Sequence, residues 1–259
     1  MLLDIKGLKT YYIMRKRVIK AVDGVDFSMS KGEMLGLVGE SGCGKSTIGY
    51  SIMGYLPSPG KIVAGTISFR GQDIIKNSRR LRWKEIAIIF QGAMNAMNPV
   101  LKVGEQIDEV LKIHMKLQKS GRSKRIDELF EMVEIDPKRA FDYPHQLSGG
   151  MKQRVIIAMA LACNPAILIA DEPTTNLDVI TQKKIMDLLK TLKEKLGLSI
   201  IYISHDLALI LQTCKRMVVL CNGKVIESGR AIDVFGHPNH PHTQRLISSI
   251  PRIKKDDKP

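Results

Sequence analysis

The chain has 259 residues, 44% apolar and 25% charged, proportions of an ordinary globular protein that exclude wholesale disorder and fibrous architecture. That length exceeds one average domain and falls short of two, so one main domain with an appended subdomain is expected. Lys and Arg number 40 against 26 Asp and Glu, and the resulting +14 favours a polyanionic neighbour: nucleic acid, an anionic membrane surface or nucleotide phosphate.

The longest apolar stretch, Val155 to Ala170, is interrupted by Asn164 and Pro165 and is too short to span a membrane. The N-terminus has no basic-then-apolar leader pattern, so the interior of the cell is the expected compartment. Cys43, Cys163, Cys214 and Cys221 are scattered and form no C-x-x-C pair, which argues against a disulfide or zinc framework. The basic residues fall in short runs, Arg15 to Lys20, Arg79 to Lys84 and Lys116 to Arg125, each read as a solvated face.

In chain order, Val25, Phe27 and Met29 alternate with Asp26 and Ser28 as a half-buried strand, and Met34 to Val38 is a fully buried one. Ser46 to Met53 is expected to be helical; Thr66 to Arg70 and Ile86 to Phe90 are expected strands. From Val103 to Val133 the period becomes helical, with Val103, Ile107, Val110, Leu111, Ile126, Leu129, Phe130 and Val133 on one face, which marks a helical subdomain. Helix Gly150 to Cys163, strand Ala166 to Ala170, helix Ile180 to Leu196, strand Ser199 to Ile203 and helix Leu207 to Cys214 follow. Such alternation predicts a mostly parallel sheet. Asn222-Gly223 between two apolar runs predicts a hairpin at the sheet edge. Residues 252–259 read as a frayed tail.

Gly39-Glu40-Ser41-Gly42-Cys43-Gly44-Lys45-Ser46 matches G-x-x-x-x-G-K-[ST] between a buried strand and a helix start, as a phosphate-binding loop requires. Glycines allow successive N–H groups to turn inward around phosphates, and the helix N-terminus adds partial positive charge. Lys45 is placed to reach the β and γ phosphates and Ser46 to ligate Mg²⁺, so ATP and Mg²⁺ are the implied ligands, with Thr47 next in the same loop-to-helix run. Asp171-Glu172 ends an apolar strand; Asp171 suits the Mg²⁺ shell and Glu172 the polarisation of an attacking water. Leu147-Ser148-Gly149-Gly150 offers a second anion-binding helix start.

With Leu147 to Arg154 reading LSGGMKQR, the chain resembles an ABC-type ATPase cassette over essentially its whole length. The resemblance implies an α/β P-loop NTPase: a mostly parallel core sheet (1–91 and 155–235) with an N-terminal antiparallel β subdomain, an inserted α-helical subdomain (92–154) and a tail (236–259). It assigns Gln91 to a loop touching Mg²⁺ or water, Leu177-Asp178 to the D-loop and His205 to the γ-phosphate. Tyr12 becomes the adenine platform, with adjacent Tyr11 as the alternative. Such cassettes pair head to tail, so Ser148, Gly149, Gly150 and Asp178 would complete the site of a second ATPase subunit.

Asp233 to Thr243 resembles the tail of the peptide and nickel importer branch, with His242 where that branch usually has tyrosine. The segment from His237 to Thr243 is read as proline-broken loop packing. Gly92 and Asn176 depart from the aspartate and the small residue common at those positions. The resemblance implies transmembrane permease subunits, an extracellular solute-binding protein, and residence at the cytoplasmic face of the membrane. A nucleic-acid-associated ATPase on the same cassette is the alternative that +14 also suits, though no coiled-coil insertion, zinc-knuckle spacing or second cassette accompanies it.

Overall fold

The computed structural model describes residues 1–249; the expected frayed tail at 252–259 lies outside them. An N-terminal antiparallel sheet is built from β1 (Leu3–Ile13), β2 (Val18–Met29), β4 (Gly60–Phe69) and β5 (Gln72–Asp73), in the order β2-β1-β4-β5. β3 (Met34–Val38) belongs to a second sheet with β6 (Ile86–Ile89), β7 (Ile167–Asp171), β8 (Ser199–Ser204), β9 (Arg216–Cys221) and β10 (Lys224–Arg230). Its order is β10-β9-β3-β8-β7-β6, parallel except for the β9–β10 hairpin at one edge. Asn222 and Gly223 adopt φ of 47° and 74°, the positive values that the hairpin turn demands.

Strands β3, β6, β7 and β8 of this sheet are buried on both faces, which is why they read as continuous apolar runs. Leu35 and Leu37 pack toward α1 (Lys45–Met53) and the antiparallel sheet, while Met34 and Val38 pack toward helices on the opposite face. After a single turn of helix, α2 (Ser78–Leu81), and strand β6, the helical subdomain holds α3 (Val103–Met115) and α4 (Lys119–Met132). Val103, Ile107, Leu111, Ile126, Leu129 and Phe130 are all buried there. α5 (Gly149–Leu161) runs unbroken from the LSGG segment to below the sheet, and α6 (Val179–Leu196), α7 (Leu207–Thr213), α8 (Ala231–Gly236) and α9 (Pro241–Ser248) complete the chain order.

One strand was not anticipated, and two expectations need correction. β1 has no clean alternation because Gly7, at φ 55°, bulges the strand: Leu3 and Ile5 are buried before it, Leu8 and Thr10 after it, so the inward phase flips. The segment read as loop packing becomes helix from Pro241, since a proline at the first helical position forfeits no hydrogen bond. The basic runs are not wholly solvated. Arg82 donates to the carbonyls of Met53 and Gly54, Arg122 to Asp108 and the Leu117 carbonyl, and Arg125 to the Leu161 and Ala162 carbonyls. Among the described residues, no helix is long and apolar enough to cross a membrane.

Candidate active site

β3 delivers the chain to Gly39, whose φ is 151° and whose Cβ, if present, would lie 2.3 Å from the Leu220 carbonyl oxygen. Gly44 is equally restricted, at φ 105° with the Ala21 carbonyl 2.2 Å from a built Cβ. The turn of the β9–β10 hairpin holds the loop from a third side: Gly223 N–H donates to the Cys43 carbonyl (3.1 Å). α5, α6 and α7 are capped by the side chains of Ser148, Asp178 and Asp206, whereas α1 has no side-chain cap and no acid in its first turn. Its leading N–H groups are therefore available to an anion.

Lys45 is 6% exposed, and its ammonium donates to the carbonyls of Gly39 (2.7 Å) and Glu40 (2.8 Å) and contacts Cys43 Sγ at 3.6 Å. Burial pushes the Cys43 thiol above its ordinary pKa, with Lys45 pulling less strongly the other way, so Cys43 is held as a thiol rather than a reactive thiolate.

β6, β7 and β8 are neighbours in the sheet, and from their carboxyl ends come Gln91, Asp171-Glu172 and His205. Glu172 occupies the left-handed region (φ 47°), a strained setting for a non-glycine residue. Its Oε1 lies 2.8 Å from His205 Nδ1; its Oε2 accepts from Gln91 Nε2 (3.0 Å) and Thr175 Oγ1 (3.1 Å). Burial would raise its pKa, but His205, Thr175 and Lys45 together outweigh burial and hold the carboxyl below its usual range. Gln91 thus bonds the acid instead of standing free for a metal.

Asp171 is wholly buried, and neither carboxylate oxygen has a hydrogen-bond partner. Burial pushes its pKa up to about 6; Glu172 adds to the rise, while Ser46 and Lys45 oppose it, Ser46 from close by without hydrogen-bond geometry. Two orphaned carboxylate oxygens beside a serine hydroxyl are a hard-oxygen donor set, and they fit a divalent cation of the Mg²⁺ type.

Two clefts flank the loop. One of about 140 Å³ is lined by Ser41, Gly42, Gly44, Lys45, Ser46, Thr47, Gln91 and Glu172; the other, about 440 Å³, by Gly39, Glu40, Ser41, Gln91, Glu172, His205 and Leu246. Tyr12 reaches toward this site, its hydroxyl 3.4 Å from Thr47 Oγ1, while Tyr11 bonds Asp23. Ser148, Gly149, Gly150 and Asp178 line neither cleft. Ser148 and Asp178 cap α5 and α6, and Gly149 and Gly150 pack beside Leu177 and Thr181. Sequence reasoning missed Thr175, Gly223 and Leu246. Of these, only the Asn-Gly turn carries a local signal.

An anion site at a helix start occurs in many folds. This one is narrowed by a loop lysine and an acid pair that share one mostly parallel sheet, which makes the class a P-loop NTPase, and the N-terminal antiparallel sheet with inserted helices makes it an ATP-binding cassette. The ABC transporter family matches residues 22–175. The chain is 46% identical over 259 residues to the oligopeptide transport ATP-binding protein AppD of Bacillus subtilis, covering 97% of this chain and 79% of AppD. It is 46% identical over 258 residues to the dipeptide transport ATP-binding protein DppD of Haemophilus influenzae, covering 97% and 78%. The chain belongs to the ABC transporter family. The dimeric cassette MJ0796, solved in a post-hydrolysis state with ADP and Pi, superposes with a TM-score of 0.78 at 31% identity, covering 89% of this chain and 99% of that one. CbiO1 of Clostridium perfringens, part of the cbiONQ transporter complex, gives 0.77 at 30%, with 91% of each chain covered. The chain is an ABC-type ATPase and a transporter subunit, and nothing among these relatives supports the nucleic-acid reading of its charge.

Proposed function

We propose that the chain is the ATP-hydrolysing subunit of an importer for oligopeptides, dipeptides or related solutes. It works at the cytoplasmic face of the membrane with a second cassette, permease subunits and an extracellular solute-binding protein. The transport proteins AppD and DppD support the solute class. Convergence of Gln91, Thr175 and His205 on Glu172 beside an uncapped α1 carries the catalytic reading. The positive surface suits an anionic leaflet, at about 1 kcal/mol for each nearby Lys or Arg.

Ser41 to Thr47 cradle the phosphates, Lys45 exchanges the Gly39 and Glu40 carbonyls for phosphate oxygens, and Tyr12 stacks on the base. Ser46 and Asp171, with Gln91, would hold Mg²⁺, which when bound supplies charge neutralisation between phosphate oxygens. His205 and Gln91 turn from Glu172 to the γ-phosphate side, and that exchange frees the Glu172 carboxylate to take a proton from water. Ser148, Gly149, Gly150 and Asp178, which line neither cleft of their own chain, serve the partner cassette. The division into a core (1–91 and 155–235), a helical unit (92–154) and a tail from 236 follows this arrangement. A cavity of about 400 Å³ in the helical unit, bordered by Lys102, Glu105, Asp108 and the exposed Phe141, shares no lining residue with the nucleotide clefts and suits a permease segment.

The test is reconstitution with the cognate permease in vesicles: peptide presented with its binding protein is expected to stimulate MgATP turnover. Salt-sensitive stimulation by DNA, with none by peptide, would overturn the proposal.

Asp171→Asn separates metal binding from stability. An acid whose folded pKa is raised from 3.8 to about 6 weakens the fold above that range and is neutral in effect below pH ~4. Two pKa units correspond to about 3 kcal/mol, and asparagine keeps an unpartnered amide. The nucleotide-free variant is therefore expected to gain roughly 1 to 3 kcal/mol at pH 8 and almost nothing at pH 4. It should also lose most of the stabilisation that MgATP gives the wild type. Denaturant unfolding at both pH values, with and without MgATP, checks this.

A further inference from the structure

α9 is seated against the phosphate loop. Its start is tied down from β10, where the Glu227 carboxylate accepts the N–H groups of Asn239 (2.9 Å) and His240 (3.3 Å). His240 Nδ1 then accepts the His242 N–H as the helix cap (3.0 Å). Ile247 and Thr243 are buried, and Ile247 belongs to the main core. The helix is therefore fixed at both ends.

Held this way, α9 turns one face to the nucleotide site. His242 is 6% exposed, and its Nε2 is buried without a hydrogen-bond partner. That nitrogen lies 3.9 Å from Glu40 Oε1, too long for a hydrogen bond and within a small side-chain movement of one. One turn further on, Leu246 lines the 440 Å³ cleft with Gly39, Glu40, Gln91, Glu172 and His205. A buried ring nitrogen without a partner is costly, and in its N–H form the nearest mobile carboxylate is its natural acceptor.

Glu40 is also the residue that must change when nucleotide enters. Its carbonyl, with that of Gly39, holds the Lys45 ammonium that the phosphates would claim. We propose that His242 is a positioning residue for ATP binding: its Nε2 takes the Glu40 carboxylate as Lys45 leaves the loop carbonyls, so that α9 braces the phosphate loop in its loaded shape. This rests on reading residues 39–46 as the ATP-binding loop.

The test is a double-mutant cycle in the assembled transporter. His242→Phe puts a ring without nitrogens in place of the imidazole; Glu40→Ala removes the acceptor carboxylate at a side chain 65% exposed and leaves the core untouched. Each is expected to raise KM for MgATP about three- to tenfold with kcat within about twofold, the double variant being no worse than either single one. His242→Gln, which returns an N–H donor, is expected to restore KM. Multiplying effects in the double variant, or an unchanged KM in Glu40→Ala, would overturn the proposal. So would a His242→Phe chain whose Tm falls while KM holds. Should the wild type fail to bind MgATP at all, the ATP-loop reading itself fails. If it binds and Lys45→Ala does not, while these variants behave as wild type, only the brace fails.

Discussion

Glu172→Gln is expected to bind MgATP with an affinity close to that of the wild type and to hydrolyse it about 10² to 10⁴ times more slowly, the usual worth of a positioned general base. The substitution preserves shape. Glutamine keeps one acceptor oxygen, enough for either His205 or Gln91, so the strand end stays in place while the group able to take a proton is gone. The strained φ of 47° is unchanged by it, because the backbone N–H still donates to the Ile203 carbonyl. Single-turnover phosphate release alongside equilibrium nucleotide binding reads both halves of the expectation. Hydrolysis within about threefold of the wild type would remove Glu172 from the chemistry.

Lys45→Ala is expected to weaken MgATP binding about 30- to 700-fold, since a desolvated charge-assisted contact to phosphate is worth roughly 2 to 4 kcal/mol and each 1.4 kcal/mol is tenfold. The loss has a second source. In the nucleotide-free chain Lys45 bridges the carbonyls of Gly39 and Glu40, so its removal also loosens the cradle before any ligand arrives. A small drop in Tm should therefore accompany the large drop in affinity. Equilibrium binding and thermal unfolding on the same preparation separate the two. Wild-type affinity in this variant would mean that the phosphates sit elsewhere.

Much of this was legible in residues 34–53, because the signals there are local: a five-residue run with no polar side chain, glycines where the backbone must turn, lysine and serine at a helix start. Asp171 and Glu172 were legible for the same reason, as two acids closing an apolar strand. The helical face from Val103 to Phe130 follows from period alone. β1 was hidden because one bulge at Gly7 shifts the inward phase, and α9 because Pro238 and Pro241 read as breakers where Pro241 in fact opens a helix.

The amino-acid sequence by itself determined which groups are candidates for the chemistry and on which strand end or helix start each sits, since backbone conformation and period depend on near neighbours. Only the tertiary structure decided which of them meet. Gln91 and Glu172 are 81 positions apart and Glu172 and His205 are 33 apart; they converge because β6, β7 and β8 are adjacent in the sheet. The approach of His242 to Glu40 has the same origin, a helix near the chain's end packed on a loop near its beginning. Strand order and helix docking are set by long-range burial, which no local pattern encodes.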